Sequence, residues 1–575
     1  MIRRLASCIR EFKKQTILAP IFITLETLLE CFLPFVMSKL IDGMTEEGVS
    51  AVIKYGSMLV IIAMCSLFCG TMSARLAATA GGGFARNIRQ DLFFKIQTFS
   101  FADIDRFSSN SLVTRLTSDV SSIQNAFQMI IRIALRAPLM IVFSIIMTVS
   151  VSPRMSLIFI CMVPVLTVIF IFAHKWIIPY FDRIFKRYDA MNESVQENVS
   201  GIRVVKSFVR EEYEQKKFEK TSAQVAADFR KVDRIIGIPI TNFSIYLAMF
   251  LVDYIGARLI ISSGGSELST GNLSSLISYG VQILSSVIMV TMIFVMLYMA
   301  QEAGRRITEV LDHEPSITSP ENGISEIKDG SVDFEGVSFK YKETSKLNAL
   351  ENVDLHIPSG YTVGIIGGTG SSKTTLIQLI SRLYDVTEGS VKVGGVDVRE
   401  YDLSSLRDSV AVVLQKNVLF SGSISDNIRW GDMDATDEEV RHACELAQAD
   451  EFIRQLPGGY DYHIEQGGTN VSGGQKQRLC IARALLKKPK VLIMDDSTSA
   501  VDTRTDALIQ ASFAKEIPDT TKIIIAQRIS SVEHADMIIV MDNGRIVEKG
   551  SHEELMELGG IYREVYDSQM KGKEE

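Results

Sequence analysis

The stretch Gly367-Gly368-Thr369-Gly370-Ser371-Ser372-Lys373-Thr374-Thr375 follows an apolar run at 362–366 and precedes a helical pattern. A glycine-rich turn between a strand and a helix points backbone N–H groups at an anion, and the helix N-terminus adds partial positive charge. Lys373 brings a full positive charge, and the Thr374 hydroxyl is suited to contact Mg²⁺. The pattern predicts phosphate binding. Ser372 stands where the usual pattern has its last glycine, so a purely structural turn is the alternative.

Two further motifs lie towards the C-terminus. The apolar run 490–494 is typical of a buried parallel strand, and Asp495 and Asp496 follow it directly. Between this run and the glycine-rich turn lies Val471-Ser472-Gly473-Gly474-Gln475, which leads into a second helical pattern. Strand and helix signals alternate from about residue 331 onward, so this half is predicted to be an α/β domain, 331–575.

The N-terminal half has a different composition. The chain has 575 residues, 47% of them hydrophobic, and its long apolar runs all precede residue 310. A membrane-spanning helix needs about 20 apolar residues. Six stretches meet that length, which predicts an all-α transmembrane domain, 1–312, with spans near 16–39, 55–78, 126–149, 155–178, 235–261 and 273–303. The segment 313–330 is rich in Pro, Ser, Asn and Gly and is predicted to be a linker.

Charge predicts the orientation of these spans. Lys and Arg concentrate between spans two and three and between spans four and five, whereas the alternate loops are nearly free of them. The positive-inside rule therefore places both termini, the two long loops and the α/β domain in the cytoplasm of a multi-pass cell-membrane protein. The formal net charge is -8 and there is no basic tail, so nucleic acid is excluded as a partner.

Together these motifs resemble the ATP-binding domain of ABC (ATP-binding cassette) transporters, and 471–475 resembles the ABC signature. The resemblance covers the whole chain: six spans, two long cytoplasmic loops and one C-terminal ATP-binding domain, as in half-size ABC exporters. The approach Glu465-Gln466-Gly467-Gly468-Thr469-Asn470 and the pair Asp496 and Gln527 are similar to one subunit of the heterodimeric bacterial multidrug exporters.

The resemblance implies a role for each matching residue. Tyr341 stacks on adenine, and Gly367, Gly368, Thr369, Gly370, Ser371, Ser372, Lys373, Thr374 and Thr375 hold the phosphates of ATP. Mg²⁺ is held by Thr374, Gln415 and Asp495. In these exporters two ATP-binding domains close head to tail, so Ser472, Gly473, Gly474 and Gln475 contact the ATP of the opposite subunit, and Ser499 and Asp502 belong to the loop that communicates between the two sites.

The resemblance also predicts contacts between motor and membrane domain. The long loops 84–119 and 183–234 have helical patterns, each interrupted once, near 103–107 and 200–205. Family members hold short transverse helices at such loop tips against the ATP-binding domains. Asp103, Phe107, Ile202 and Arg203 are the coupling residues expected here, and an ordinary solvated turn is the alternative.

Two positions besides Ser372 depart from the family pattern. Asp496 replaces the usual Glu, which retracts the carboxylate by roughly 1 Å, and Gln527 replaces the usual His, which removes a group that can carry charge. The chain is therefore expected to bind ATP but hydrolyse it weakly in its own site. It is expected to complete a competent site with a second half-transporter and to export lipophilic small molecules. The alternatives are a lipid flippase and an ATP-gated or regulatory membrane protein.

Ionisable residues also fall inside the predicted spans, where a charge is costly and usually functional. They are Glu26, Glu30, Arg132, Arg136 and Asp253. Either they face a translocation cavity or they pair with one another.

Overall fold

The computed structural model describes residues 1–236, 238–342, 345–496 and 501–574, without the side chains of some residues, most of them within 166–189 and 232–245. The chain divides into two compact units. The first comprises Met1–Gln97 and Asn110–His313, and the second comprises Thr98–Ser109 and Glu314–Glu575.

The first 313 residues are helical in the described part. The helices are α1 (Ile2–Ser7), α2 (Lys13–Glu46), α3 (Val49–Gln97), α4 (Phe101–Phe107), α5 (Ser109–Thr114), α6 (Val120–Val151), α7 (Pro153–Ser200), α8 (Ile202–Ser207), α9 (Glu211–Ile236), α10 (Ile238–Ser263) and α11 (Thr270–Asp312). Local capping fixes several of their starts. Ser152 accepts a hydrogen bond from the backbone of Met155, with Pro153 opening α7, and Ser269 accepts one from Asn272 at 3.0 Å.

Five helical stretches among the described residues are long and apolar enough to cross a membrane: Arg10–Thr45, Val49–Gln97, Ser109–Val151, Tyr246–Ser263 and Thr270–Asp312. The fourth predicted span, 155–178, lies within α7, whose described apolar part is Pro153–Val165. The long loops are helical, as their patterns predict. α3 and α7 extend well past the length of a membrane span, with 49 and 48 residues.

The second unit is an α/β domain. Its strands are β1 (Val332–Phe339), β2 (Leu350–Ile357), β3 (Thr362–Gly367), β4 (Glu388–Val393), β5 (Val396–Asp397), β6 (Val410–Val413), β7 (Gly422–Ser423), β8 (His463–Ile464), β9 (Val491–Asp495), β10 (Thr521–Ile525), β11 (Met537–Asp542) and β12 (Arg545–Gly550). Its further helices are α12 (Lys373–Ile380), α13 (Leu403–Ser409), α14 (Ile424–Arg429), α15 (Asp437–Leu446), α16 (Asp450–Gln455), α17 (Gly473–Leu486), α18 (Thr503–Glu516), α19 (His552–Leu558) and α20 (Ile561–Glu574).

The central sheet has the order β12-β11-β3-β10-β9-β6, and a smaller antiparallel sheet has the order β2-β1-β4-β5. All five residues of β9 are buried. Val491 and Ile493 join one hydrophobic core, and Leu492 and Met494 join the other. The sheet is therefore covered on both faces, which explains why its strands are continuous apolar runs rather than alternating ones.

Helix α4 packs in the second unit, although its neighbours in sequence belong to the first. Ser100 caps it in a reciprocal capping box with Asp103. Asp103 also accepts a hydrogen bond from the backbone of Ser316 at 3.1 Å, and the Ser100 and Ser316 hydroxyls lie 2.6 Å apart. Phe107 is only 5% exposed and stacks on Phe99 with ring centroids 5.5 Å apart. The sequence predicts that Phe107 forms a docking contact, and the burial of its ring gives Phe107 a packing role as well.

This burial predicts a stability effect. Phe107→Ala removes a buried aromatic ring and should destabilise the protein by about 3–5 kcal/mol, measured as a lowered midpoint of thermal unfolding. Phe94→Ala is the matched control, because Phe94 is 60% exposed. Equal shifts for the two variants would contradict a packing role for Phe107.

Candidate nucleotide-binding site

The predicted site residues follow four neighbouring strands. β3, β10, β9 and β6 are parallel and adjacent in the central sheet. The glycine-rich turn follows β3, Gln527 follows β10, Asp495 ends β9 and Gln415 follows β6. Because parallel strands have their carboxyl ends at the same edge, the sheet brings these residues together at the usual ligand position of an α/β fold.

The last position of the glycine-rich turn is a serine with a left-handed backbone conformation. Gly367 has a φ of 153°, and a Cβ there would lie 2.2 Å from the carbonyl oxygen of Met541, so only glycine fits. Ser372 has a φ of 70° and a ψ of 25°, the left-handed region. That conformation costs a residue with a side chain about 1–2 kcal/mol. Serine at this position therefore strains the turn.

Lys373 begins α12 and folds its side chain over the turn. Its Nζ donates hydrogen bonds to the carbonyl oxygens of Gly367 and Gly368, both at 2.8 Å, and to the Ser371 hydroxyl at 3.2 Å. Burial lowers the pKa of Lys373, while Asp495 and Asp496 oppose that shift. The ammonium therefore lies at the mouth of the turn, where a phosphate is expected.

Two predicted Mg²⁺ ligands contact each other. The Thr374 hydroxyl donates to the Asp495 carboxylate, 3.0 Å from Oδ2. Burial raises the pKa of Asp495, and the hydrogen bond from Thr374 opposes that rise. A hydroxyl and a carboxylate converging on one point suit Mg²⁺, which takes oxygen ligands. The third predicted ligand, Gln415, contacts Asp496 instead, with its Nε2 3.4 Å from Oδ2.

Two of the residues that depart from the family pattern, Asp496 and Gln527, are in direct contact. Gln527 Nε2 donates to Asp496 Oδ2 at 2.7 Å. Asp496 is 8% exposed and has a φ of 47°, and its backbone N–H donates to the carbonyl of Ile525. The Asp496 carboxylate, which is shorter than that of Glu, is thus hydrogen-bonded to the uncharged side-chain amide of Gln527.

Tyr341 lies beside the phosphate turn. Its hydroxyl is 2.8 Å from the Thr375 hydroxyl, and its ring meets Tyr384 edge to face with centroids 5.3 Å apart. The side chain is 48% exposed, so ring surface remains open. An exposed aromatic ring next to a phosphate site suits the predicted contact with adenine.

The signature segment forms a helix N-terminus. Ser472 caps α17 in a capping box with Gln475, whose backbone N–H donates to the Ser472 hydroxyl at 3.3 Å. Ser472 is exposed and Gln475 half-buried. A capped 14-residue helix presents backbone N–H groups and partial positive charge at this end, which suits an anion.

The remaining predicted residues lie in several different elements of the chain. Ser499 lies outside the described residues, whereas Asp502 caps α18 by accepting a hydrogen bond from the backbone of Thr505. Hydrogen bonds from Thr505 lower the pKa of Asp502. Ile202 and Arg203 lie in α8 of the first unit and are exposed. Asp103 belongs to α4 and is buried in the second unit.

Sequence reasoning missed three residues around the site. Gln569 of α20 accepts from the backbone N–H of Ile529 at 3.0 Å and donates to the carbonyl of Gln527 at 2.9 Å. The Tyr384 hydroxyl donates to Asp105 of α4 at 2.6 Å. Gln477 donates to the backbone carbonyl of Asp496 at 3.4 Å. Nothing in the local sequence signals these roles, because each depends on a partner distant in sequence.

The Gln569 bridge predicts a local effect. Gln569→Ala removes both hydrogen bonds and should speed amide exchange at Ile529 by about tenfold, because a bond contributes about 0.5–1.5 kcal/mol. Hydrogen–deuterium exchange over 525–531 measures the change. Ser568→Ala is the control, because Ser568 is exposed on the same helix. Unchanged exchange in Gln569→Ala would mean that α20 does not hold the Gln527 loop.

Comparisons with known proteins agree with this architecture. Residues 16–301 match the family model of the ABC transporter transmembrane region, and residues 350–499 match the family model described as ABC transporter. The ABC transporter ATP-binding protein YfiB of Bacillus subtilis is 34% identical over 96% of both chains. A Mycobacterium tuberculosis ABC transporter ATP-binding protein is 35% identical over 98% of this chain and 97% of its own.

The fold also matches a solved structure. The ATP-bound structure of a bacterial Atm1-family ABC exporter superposes with a TM-score of 0.83, covering 97% of this chain and 99% of that chain at 23% identity. A helical transmembrane region followed by one ATP-binding domain, with relatives aligned over nearly the whole length, identifies the family. The chain belongs to the ABC transporter family and has the fold of an ABC exporter.

Proposed function

We propose that this chain is one subunit of a heterodimeric, ATP-driven exporter of lipophilic compounds, and that its own ATP site holds Mg²⁺-ATP but hydrolyses it slowly. The partner is a second half-transporter with Glu and His at the positions of Asp496 and Gln527. Both termini and the ATP-binding domain lie in the cytoplasm, in accordance with the distribution of Lys and Arg.

The contact between Gln527 and Asp496, at 2.7 Å, carries this proposal. Phosphoryl transfer needs a residue that positions the attacking water, and a misplacement of about 1 Å can reduce the rate about a hundredfold. Asp496 is shorter than Glu, and one of its oxygens already accepts from Gln527. Gln527 in turn cannot become a cation. Lys373, Thr374 and Asp495 keep the arrangement that binding requires.

The signature supports the second half of the proposal. Ser472 and Gln475 form an intact capping box on an exposed helix N-terminus. Such an end is suited to complete the ATP site of a partner subunit. A chain with a weak site of its own and an intact signature has a role in a pair whose other site is competent.

Coupling to the membrane domain is supported by α4 and α8. α4 is tied to the ATP-binding domain by the hydrogen bond between Tyr384 and Asp105. Tyr384 also packs against Tyr341 and Phe101. α8 exposes Ile202, Val204 and Arg203. A cavity of about 410 Å³ beside the Gln415 loop, partly lined by Val418, Phe420 and Trp430, is the docking position we propose for the partner's counterpart of α8.

The first prediction from this proposal concerns ATP hydrolysis. The full-length chain alone should bind Mg²⁺-ATP and turn it over slowly. The double variant Asp496→Glu with Gln527→His should raise its ATPase rate about a hundredfold, since it restores the reach of the carboxylate and a group that can carry charge. Phosphate release by the protein in lipid vesicles measures both rates.

Two controls accompany this experiment. Lys373→Ala in the double variant should abolish the gain, because the phosphates lose their cation. Nucleotide binding measured in parallel shows whether a low rate reflects weak binding or weak hydrolysis. Fast turnover by the unmodified chain would contradict a degenerate site.

The second prediction from this proposal concerns the coupling of ATP hydrolysis to transport. Tyr384→Phe removes the hydroxyl that holds Asp105 and keeps the packed ring. Transport per ATP hydrolysed by the assembled pair should fall about tenfold, because a hydrogen bond to a charged group contributes about 1.5–3 kcal/mol. ATP affinity should stay nearly constant. Measurements of dye flux and phosphate release on the same vesicles give this ratio.

Tyr460→Phe is the matched control, because Tyr460 donates to Asp450 at 2.8 Å within the ATP-binding domain and away from α4. If both variants lower the transport ratio equally, the effect is a general loss of stability. In that case the bond between Tyr384 and Asp105 does not couple the two processes.

A further inference from the structure

A charged cluster lies between helices α2 and α6 of the membrane region. Arg136 donates to both oxygens of Glu30, at 2.7 and 2.8 Å, and to Glu26 Oε1 at 3.3 Å. Pairing of this kind is one of the alternatives left open by the sequence. It accounts for Arg136, for Glu30 and for one oxygen of Glu26.

The second oxygen of Glu26 is not accounted for. Glu26 is 7% exposed, and its Oε2 is buried with no hydrogen-bond donor among the described residues. Burying a carboxylate oxygen without a donor is costly, and more so within a membrane. Gly70 of α3 makes the space for this carboxylate, because a Cβ there would lie 2.8 Å from Glu26 Oε1 and 3.0 Å from Oε2.

Glu26 borders a cavity of about 420 Å³, within the range of about 300–1,000 Å³ typical of small-ligand sites. Glu30 and Arg132 line it as well. Arg132 is half-buried and makes no hydrogen bond or ion pair within the part of the chain that the structure describes. One cavity is therefore lined by a glutamate with an oxygen that needs a donor and by an arginine that needs an acceptor.

We propose that this cavity binds the head group of a zwitterionic phospholipid bearing a primary ammonium group, of the phosphatidylethanolamine type. In this proposal the Glu26 carboxylate turns Oε2 towards the cavity and accepts from the ammonium, and the phosphate accepts from Arg132, whose planar donors match phosphate oxygens. The four charged side chains sum to zero, so a head group without net charge leaves no buried net charge. Leu67, an exposed residue of the apolar helix α3, lines the same cavity and suits the acyl chains.

This inference rests on the proposed transport function, because it names the chemical class of the transported compound. It narrows the lipophilic compounds of the proposed function to a membrane lipid. Free phosphoethanolamine has the same head-group chemistry, but the apolar helix surroundings favour a membrane lipid as its source.

Binding is tested first on the unmodified full-length chain in detergent without nucleotide. Dioctanoyl phosphatidylethanolamine, phosphatidylcholine and phosphatidylglycerol, and free phosphoethanolamine, are titrated by isothermal calorimetry. Phosphatidylcholine has no N–H donor, and phosphatidylglycerol has no cation. Phosphatidylethanolamine should bind about tenfold more tightly than either, and more tightly than phosphoethanolamine. Equal affinities for the three lipids overturn the site, and tighter binding of free phosphoethanolamine overturns the lipid as its source.

Two variants locate the site. Glu26→Gln should weaken phosphatidylethanolamine binding about tenfold and leave phosphatidylcholine binding unchanged, whereas Arg132→Gln should weaken the binding of both lipids about tenfold, because both carry the phosphate. Arg154→Gln is the control, because Arg154 forms an exposed ion pair with Glu267. A preference for phosphatidylethanolamine that survives Glu26→Gln, or an unchanged affinity for both lipids in Arg132→Gln, would place the site elsewhere and overturn the assignment.

A transport assay separates this inference from the proposed function. Labelled phosphatidylethanolamine and a lipophilic dye are followed in vesicles that contain the assembled pair. Selective binding with no ATP-dependent movement of the lipid would keep the site and refute its role in transport. Movement of the dye without selective lipid binding would keep the exporter and refute the site.

Discussion

The parallel register of four strands is the constraint on which the nucleotide site depends. Ile525 pairs with Asp495 on one side and with Ile365 on the other, and Val413 pairs with Met494. The turn, Gln527, Asp496 and Gln415 follow these strand ends within a few residues. Because the strands are buried on both faces, a one-residue slip would exchange the side chains of the two cores. Packing of the cores therefore fixes the geometry of the site.

Asp496 and Gln527 belong together structurally. Each departs from the family pattern, and the amide of one is the hydrogen-bond donor to the carboxylate of the other. Gln569 holds the backbone at Gln527 and at Ile529, and Gln477 contacts the backbone of Asp496. The contact between Asp496 and Gln527 is thus supported by hydrogen bonds from two helices, α17 and α20.

In the membrane region the constraint is that a buried charge needs a partner. Arg136 satisfies Glu30 fully and Glu26 in part, and the remainder of Glu26 borders a cavity with Arg132. Helix α4 is held by two hydrogen bonds of its own, one between Asp103 and Ser316 and one between Asp105 and Tyr384. In both places the polar contacts join segments more than 100 residues apart in sequence.

The sequence by itself determined the elements of this protein. Apolar runs, glycine positions and charge placement are local properties, so they predict the long helices, the buried strands, the phosphate turn and the order of the two domains. The family motifs also identified Lys373, Thr374 and Asp495, which the sheet then brings together. Only the tertiary structure decided which side chains meet. Asp496 and Gln527 are 31 residues apart, and Asp105 and Tyr384 are 279 apart. The burial of Phe107, the bridge by Gln569 and the unsatisfied oxygen of Glu26 likewise depend on segments distant in sequence, because a hydrogen bond or a packing contact is defined by distance in space.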